Sequence, residues 1–195
     1  MGQLQRVDRK DARERVLATS YDLFVDRGVS SVGVNEIIST ADVAKATFYH
    51  HFPSKQDLVM AFFARRQELF TIGYLGAESE RRANTPREQL LAIFDIFDEW
   101  FREPDFMGCP YIRALLELGP HHPVGQASLT YLNDIRSSVQ EAAARMGLKD
   151  PEDFAYCWMA LMQGAVVSGA GIDPAIGPRI RKLGEYLLAL HAPAR

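Results

Sequence analysis

Apolar side chains recur every three or four residues along most of the chain, and no segment alternates strictly between apolar and polar residues. This spacing puts the apolar side chains on one face of an α-helix and does not favour strands. Gly28 ends the first apolar stripe, and Thr85-Pro86-Arg87-Glu88 places a cap, a proline and a glutamate in the order that opens a helix. We therefore predict an all-α fold of about nine helices, with these approximate bounds: 11–27, 34–41, 44–51, 54–80, 85–102, 107–118, 124–146, 151–168 and one opening at Asp173-Pro174.

The predicted helices divide into two groups, three short ones followed by a bundle of longer ones. We expect an N-terminal domain over residues 1–55, with a mobile polar arm at 1–10, and a C-terminal domain over residues 56–195. The composition, 47% hydrophobic and 24% charged, is that of a globular protein with enough apolar surface for a core. The net charge is −3, and residues 1–55 carry 8 Lys and Arg against 7 Asp and Glu, so charge alone does not indicate a nucleic-acid partner.

Cysteine and histidine usage limits the classes of site. Cys109 and Cys157 form no CxxC motif, and His121-His122 has no third ligand in view, so we expect no disulfide framework, metal or cofactor. The N-terminus is polar and has no signal-peptide core. The longest apolar stretch, 154–171, contains a glutamine and three glycines, which favours a buried helix over a membrane span. A cytoplasmic protein without a membrane segment is expected.

Residues 37–52 carry the pattern of a helix-turn-helix. Ile37 and Ala41 lie one turn apart, Phe48 and Phe52 lie one turn apart, and Val43 falls in the tight turn between the two pairs. Such side chains form a miniature core between two short helices set at a steep angle.

The second of these helices exposes groups that suit DNA. Lys45 can donate to guanine edges, and Thr47 can bond a base or touch a thymine methyl. Tyr49 and His50 suit phosphate oxygens, and Lys55 opens the next helix, where backbone amides also attract phosphate. The candidate DNA-binding residues are Lys45, Ala46, Thr47, Tyr49, His50 and Lys55. Any short helix pair inside a bundle shows the same periodicity, so the spacing alone leaves both interpretations open.

The run from Thr47 to Leu58, TFYHHFPSKQDL, resembles the signature of the TetR family of bacterial transcriptional regulators. The first helix resembles it too, and the likeness covers residues 13–58. The resemblance implies an all-α fold of nine or ten helices, a homodimer, a palindromic operator in double-stranded DNA, and a small-molecule effector bound in the C-terminal bundle. It favours a repressor over an activator.

Several positions depart from the family pattern. Asp42 stands where glycine is usual, and we expect it to adopt a left-handed turn conformation. Ala44 stands where serine is usual and cannot cap its helix with a side chain. The other departures are Gly33, Ile38 and Ala46. None of the five removes a DNA-contacting group.

The last two long helices are the candidate dimer interface. The helix at 151–168 is apolar nearly all round, which indicates burial on more than one side. The resemblance implies that it and the final helix pair with their copies in a second chain; the alternative is that both are simply core. The candidate interface residues are Trp158, Gly164, Ile180, Leu183 and Leu187.

Aromatic and sulfur-containing side chains crowd the middle helices, where they serve either as core or as the lining of a ligand pocket. The candidates for a pocket are Phe63, Phe70, Phe97, Trp100, Phe101, Cys109, Tyr111, Tyr131, Trp158 and Met162. Cys109 stands at a predicted helix start, where a thiol becomes more reactive, so it is either a sensor of electrophiles or oxidants or an inert core residue.

No set of residues has the pattern of an enzyme, since we find no nucleophile with a base and an orienting group and no paired carboxylates. The sequence therefore predicts a ligand-responsive regulator, with a repressor released by a small apolar or aromatic molecule as the leading hypothesis. The alternatives are a thiol-based sensor that acts through Cys109 and a helical adaptor that does not bind DNA.

Overall fold

A computed structural model describes residues 11–104, 106–171, 173 and 175–193. Within these ranges the chain forms α-helices and one π-helix, without strands, so the predicted all-α class is confirmed. The elements are α1 (Ala12–Arg27), α2 (Val34–Thr40), α3 (Lys45–His51), α4 (Lys55–Arg66), the π-helix (Gln67–Gly76), α5 (Ala77–Arg82), α6 (Pro86–Phe101), α7 (Pro110–Leu118), α8 (Pro123–Arg145), α9 (Pro151–Gly169) and α10 (Ile176–Leu190). The arm predicted at 1–10 lies outside the described residues.

Local capping chemistry sets the helix ends that the sequence predicts well. The side chains of Asp11, Ser54, Thr85 and Asp150 each accept a hydrogen bond from a backbone amide two or three residues further on. Each bond satisfies an amide that the helix itself leaves without a partner, which is worth about 1 kcal/mol. At the other end of α1, Gly28 has a φ of 82°, which glycine adopts without a steric penalty.

Three predicted elements differ in their bounds. The single helix expected over 54–80 contains the π-helix, in a segment where Thr71, Ile72 and two glycines are poor α-helix formers. The helix expected from residue 107 begins at Pro110, because Gly108 has a φ of 80° that interrupts the helical backbone. α10 begins at Ile176, after the Asp173 signal.

The first compact unit comprises Met1–Leu69 and Pro110–Tyr131, and the predicted domain boundary after residue 55 does not coincide with it. α4 belongs to this unit because the ring of Phe62 packs edge-on against Tyr21 and Phe24 of α1, at centroid distances of 5.3 and 5.4 Å. α7 belongs to it as well, since the Tyr111 hydroxyl donates to the Phe63 carbonyl oxygen at 3.2 Å.

The second compact unit comprises Phe70–Cys109 and Leu132–Arg195, and its core lies among α6, α9 and α10, which pack on one another. Gly184 of α10 lies against Phe94 of α6 and Trp158 of α9, and a β-carbon there would approach the Phe94 ring to 2.8 Å. A glycine is therefore needed for this close approach. No helix of the described part of the chain is both long and apolar enough to cross a membrane.

Candidate functional site

The miniature core predicted between α2 and α3 is present. Ile37 and Phe48 are completely buried, and Ala41 and Phe52 retain 4% and 2% of their exposure. Val43 is half-buried in the turn, where its amide donates to the Ile38 carbonyl at 3.3 Å. These contacts fix the angle at which α3 leaves the turn, and α1 packs against both helices.

An arginine of α1 supports the tight turn. Asp42 has a φ of 50°, so the predicted left-handed conformation is confirmed. The Arg15 guanidinium donates to the carbonyl oxygens of Ala41 and Asp42 at 3.3 and 3.2 Å. Ala44 is the N-cap of α3 and makes no side-chain capping bond, as expected. Arg15 therefore holds a turn that lacks the usual glycine and the usual serine cap; sequence reasoning missed this role because the bond spans 26 residues.

Ion pairs attach α1 to α4 and to α2. Arg65 of α4 forms a bidentate ion pair with Glu14 of α1, with N···O distances of 2.5 and 2.6 Å, and both side chains are mostly buried. Arg27 at the end of α1 bonds Glu36 of α2 at 2.5 Å. Bidentate arginine–carboxylate pairs of low exposure constrain the relative position of two helices better than a single surface pair does.

Five of the six candidate DNA-binding residues lie on α3. Lys45, Ala46, Tyr49 and His50 are exposed, and Thr47 is half-buried. Tyr49 keeps 42% of its exposure while its ring packs edge-on against the buried Phe48. The structure thus brings the α3 candidates together on a short helix whose inner side is anchored by an aromatic core.

Lys55, the sixth candidate, is the first residue of α4 and is only half-exposed. Burial lowers its pKa from the usual 10.5, and the charge of Glu117 on α7 acts in the opposite direction. A partly desolvated ammonium gains from an anion placed beside it, and the first turn of α4 adds its own attraction for phosphate.

The pocket candidates are divided between the two compact units. In the first unit the Tyr111 and Tyr131 rings stack at 5.2 Å, and both contact Phe63. In the second unit Trp100 contacts Phe70 at 4.9 Å and Phe97 at 5.8 Å. The others in that unit are Phe101, Cys109, Trp158 and Met162. Three of the ten candidates therefore belong to the first unit and seven to the second.

Of the interface candidates on α9 and α10, only two are exposed. Trp158 and Ile180 are buried in the core of their own unit, and Leu187 packs against that core. Gly164 and Leu183 are exposed. The structure adds exposed apolar residues that were not among the interface candidates, arranged as one stripe along each helix: Tyr156 and Val167 on α9, Tyr186 and Leu190 on α10.

Residues 16–62 match the family model described as bacterial regulatory proteins, tetR family. The HTH-type transcriptional repressor NemR of Escherichia coli K12 is 42% identical over 109 residues, which are 55% of this chain and 54% of that protein. The HTH-type transcriptional activator FasR of Mycolicibacterium smegmatis is 32% identical over 103 residues, 53% of this chain and 46% of that protein. The chain thus spans about half the length of the curated relatives it matches. A TetR-family regulator of Streptomyces coelicolor of known structure superimposes with a TM-score of 0.82 at 28% identity, over 93% of this chain and 96% of that one.

Proposed function

We propose that this chain, which matches the tetR family model over residues 16–62 and is similar in fold to a TetR-family regulator, represses transcription as an operator-bound homodimer. A small apolar or aromatic effector would release it from DNA. The observation that carries the proposal is the exposed side of α3, which Phe48 anchors from within and Arg15 holds at the turn. The similar proteins are DNA-binding regulators and not enzymes, and the proposed site of action is DNA in the cytoplasm.

The roles proposed on α3 follow from the chemistry of each side chain. Lys45 and Thr47 face base edges in the major groove, and the small Ala46 lets the helix approach the groove floor. Tyr49 and His50 reach phosphates, which set register and carry no sequence information. Lys55 joins them from the start of α4.

A second copy of this chain is the proposed occupant of the exposed stripes on α9 and α10. The stripes carry five large apolar side chains that keep between 47% and 75% of their exposure, namely Tyr156, Val167, Leu183, Tyr186 and Leu190. A two-fold interface uses the same patch on both subunits, so one such surface is enough to build a dimer. The two DNA-binding domains of such a dimer then bind the two halves of a palindrome.

The effector proposal is supported by the aromatic cluster around Trp100, because pockets for small molecules are lined mostly by apolar and aromatic side chains. Cys109 offers an alternative trigger. It is half-buried and directly precedes α7, so a reagent that reaches it would act at the first turn of that helix.

The direct test selects DNA sites from a random pool with the wild-type protein and then titrates variants against the selected sites. Lys45→Ala should relax preference at one position in each half-site, at a cost of about 1–3 kcal/mol. Lys55→Ala should weaken binding to all DNA sequences alike and reduce the slope of log K against log salt by about one for each DNA-binding domain. Lys149→Ala removes the same charge from the second unit and is the control.

Two outcomes contradict the proposal: the wild type selects no DNA, or the combined variant Lys45→Ala, Tyr49→Phe, Lys55→Ala binds like the wild type. A reporter gene behind the selected site distinguishes repression from activation, a choice that matters because FasR is named an activator. For the thiol alternative, a mild oxidant should release DNA from the wild type but not from Cys109→Ser.

A further inference from the structure

An arginine of α7 binds the end of α1 from far along the chain. The Arg113 guanidinium donates to the carbonyl oxygen of Arg27 at 2.7 Å and to that of Asp26 at 3.3 Å. These carbonyls belong to the last turn of α1, where the helix itself supplies no partner and a positive charge is favoured. The two residues are separated from Arg113 by 86 and 87 positions in sequence.

A glutamate one turn further along α7 completes the contact. Glu117 accepts from Arg113 Nε at 3.0 Å through one carboxylate oxygen and from the Ser30 amide at 3.4 Å through the other. Arg113 and Glu117, here called the clasp, thus bind two carbonyl oxygens before the turn and an amide after it.

Gly28 lies inside the clasp. Its φ of 82° suits glycine, and a β-carbon at this position would approach Arg113 Nε to 2.6 Å and Glu117 Oε1 to 2.7 Å. The absence of a side chain therefore serves two needs at once: the backbone conformation of the turn and the close approach of the clasp.

The clasped turn leads directly into the DNA-facing helices. Val29 and Val32 of the turn are buried, and the Gly33 N-cap of α2 follows at once. α2 supplies Ile37 to the core that supports α3. A shift of the turn therefore changes the position of α2, and with it the foundation of α3.

We infer that Arg113 and Glu117 of α7 are positioning residues for DNA binding, which hold the turn before α2, and with it the DNA-reading helices, without facing DNA themselves. This inference rests on the proposed function and adds the place at which the DNA-reading helices are held. If loss of the clasp leaves the turn in its competent arrangement only a tenth of the time, the apparent dissociation constant rises about tenfold.

The test uses the full chain and DNA sites selected by the wild type. Arg113→Met should weaken binding about tenfold for every sequence, with unchanged base preferences and an unchanged salt slope, because no phosphate contact is lost. Hydrogen exchange at the Ser30 amide should be faster, and the mass by light scattering should stay that of the wild type. Arg81→Met is the control, since Arg81 is exposed and pairs with Glu78 inside its own helix.

Glu117→Gln distinguishes the clasp from a general charge effect. Loss of a positive charge and loss of a negative charge would change DNA affinity in opposite directions if only long-range electrostatics were involved. The clasp predicts weaker binding in both variants. For Glu117→Gln, whose isosteric amide leaves the Arg113 bonds to α1 in place, a turn that is competent about a third of the time weakens binding about threefold. This milder variant also decides the matter if Arg113→Met does not fold.

Three results would overturn the inference. The first is that Arg113→Met binds DNA with wild-type affinity although the Ser30 amide exchanges faster. The second is that the salt slope of Arg113→Met falls by about one, which would make Arg113 a phosphate contact. The third is that Glu117→Gln binds DNA more tightly than the wild type. If the wild type itself selects no DNA, the proposed function fails, and the inference that rests on it fails with it.

Discussion

Gly164 offers the cleanest perturbation of the proposed dimer. It lies on the exposed side of α9, and a β-carbon built there meets no atom within 4 Å, so a single protomer has room for a side chain. Gly164→Arg should even favour the isolated helix by about 0.8 kcal/mol, the usual difference between glycine and a good helix former. The substitution therefore leaves the fold of the single protomer unchanged and affects only contacts made by a second copy.

The size of the effect follows from the exposed stripes of α9 and α10. Complete burial of a large apolar side chain is worth about 1.5–3 kcal/mol, and the five stripe residues keep between 47% and 75% of their exposure. Their burial in a dimer therefore contributes about 4–8 kcal/mol per copy and about 8–16 kcal/mol for the two copies, which is of the size of the association cost of about 4–15 kcal/mol. An unpaired guanidinium costs several kcal/mol in each copy, so the dissociation constant of the dimer should rise at least about 10³-fold.

Sedimentation velocity at micromolar concentration, with circular dichroism as the folding check, measures this directly. The control is Ala144→Arg, which adds the same charge to an exposed position of α8 in the same unit. Gly164→Arg should be a folded monomer whose operator affinity falls by about 10²–10⁴, the gain that linking two DNA-binding domains provides. A Gly164→Arg dimer of wild-type stability would refute the placement of α9 in the interface. A folded monomer with wild-type DNA affinity would refute the role of the dimer.

Further expectations concern the first unit and the ion pairs of Glu78 in the second. Arg15→Met should lower the free energy of unfolding by about 1–2 kcal/mol in chemical denaturation and weaken DNA binding, because two turn carbonyls lose a charged donor. Gly28→Ala should cost about 1–3 kcal/mol more than Gly119→Ala, since both positions have a φ of 82° but only Gly28 is crowded. Hydrogen bonds from Arg81 and Arg82 lower the pKa of Glu78 from 4.5 to about 2. The stabilisation from these ion pairs should therefore be complete above pH 4.5 and disappear as the pH falls through about 2, and Glu78→Gln should remove that dependence from an acid titration followed by NMR.

The sequence predicted best those features whose cause lies within a few residues. The starts of α6 and α9 follow from a cap followed by proline, and the bonds involved span three residues. The left-handed turn at Asp42 was predicted from the resemblance to a family in which glycine is usual at this position. Arg15 and Arg113 escaped prediction because periodicity tells which side of a helix is apolar, not which distant carbonyl a long side chain reaches.

α10 shows a second limit of periodicity. Ile180, Leu183 and Leu187 follow one another at helical spacing and read as a single stripe, yet Ile180 is buried while Leu183 keeps 47% of its exposure. A helix that packs on its own core and also presents apolar groups outward has apolar residues over more than half of its circumference. The pattern of such a helix does not separate its inner side from its outer side, which is why the interface candidates were mixed.

The arrangement of the first unit has a consequence for how the protein is made. The turn at Gly28 leaves the ribosome before the partners that hold it, since Arg113 and Glu117 are synthesised 87 residues after Asp26 and Ser30. At about 5–20 residues per second, the turn therefore waits roughly 4–17 s for its clasp. During that interval the nascent helix-turn-helix is exposed without its last support, so translation speed and chaperone access between residues 30 and 117 bear on how much active protein each round of synthesis yields.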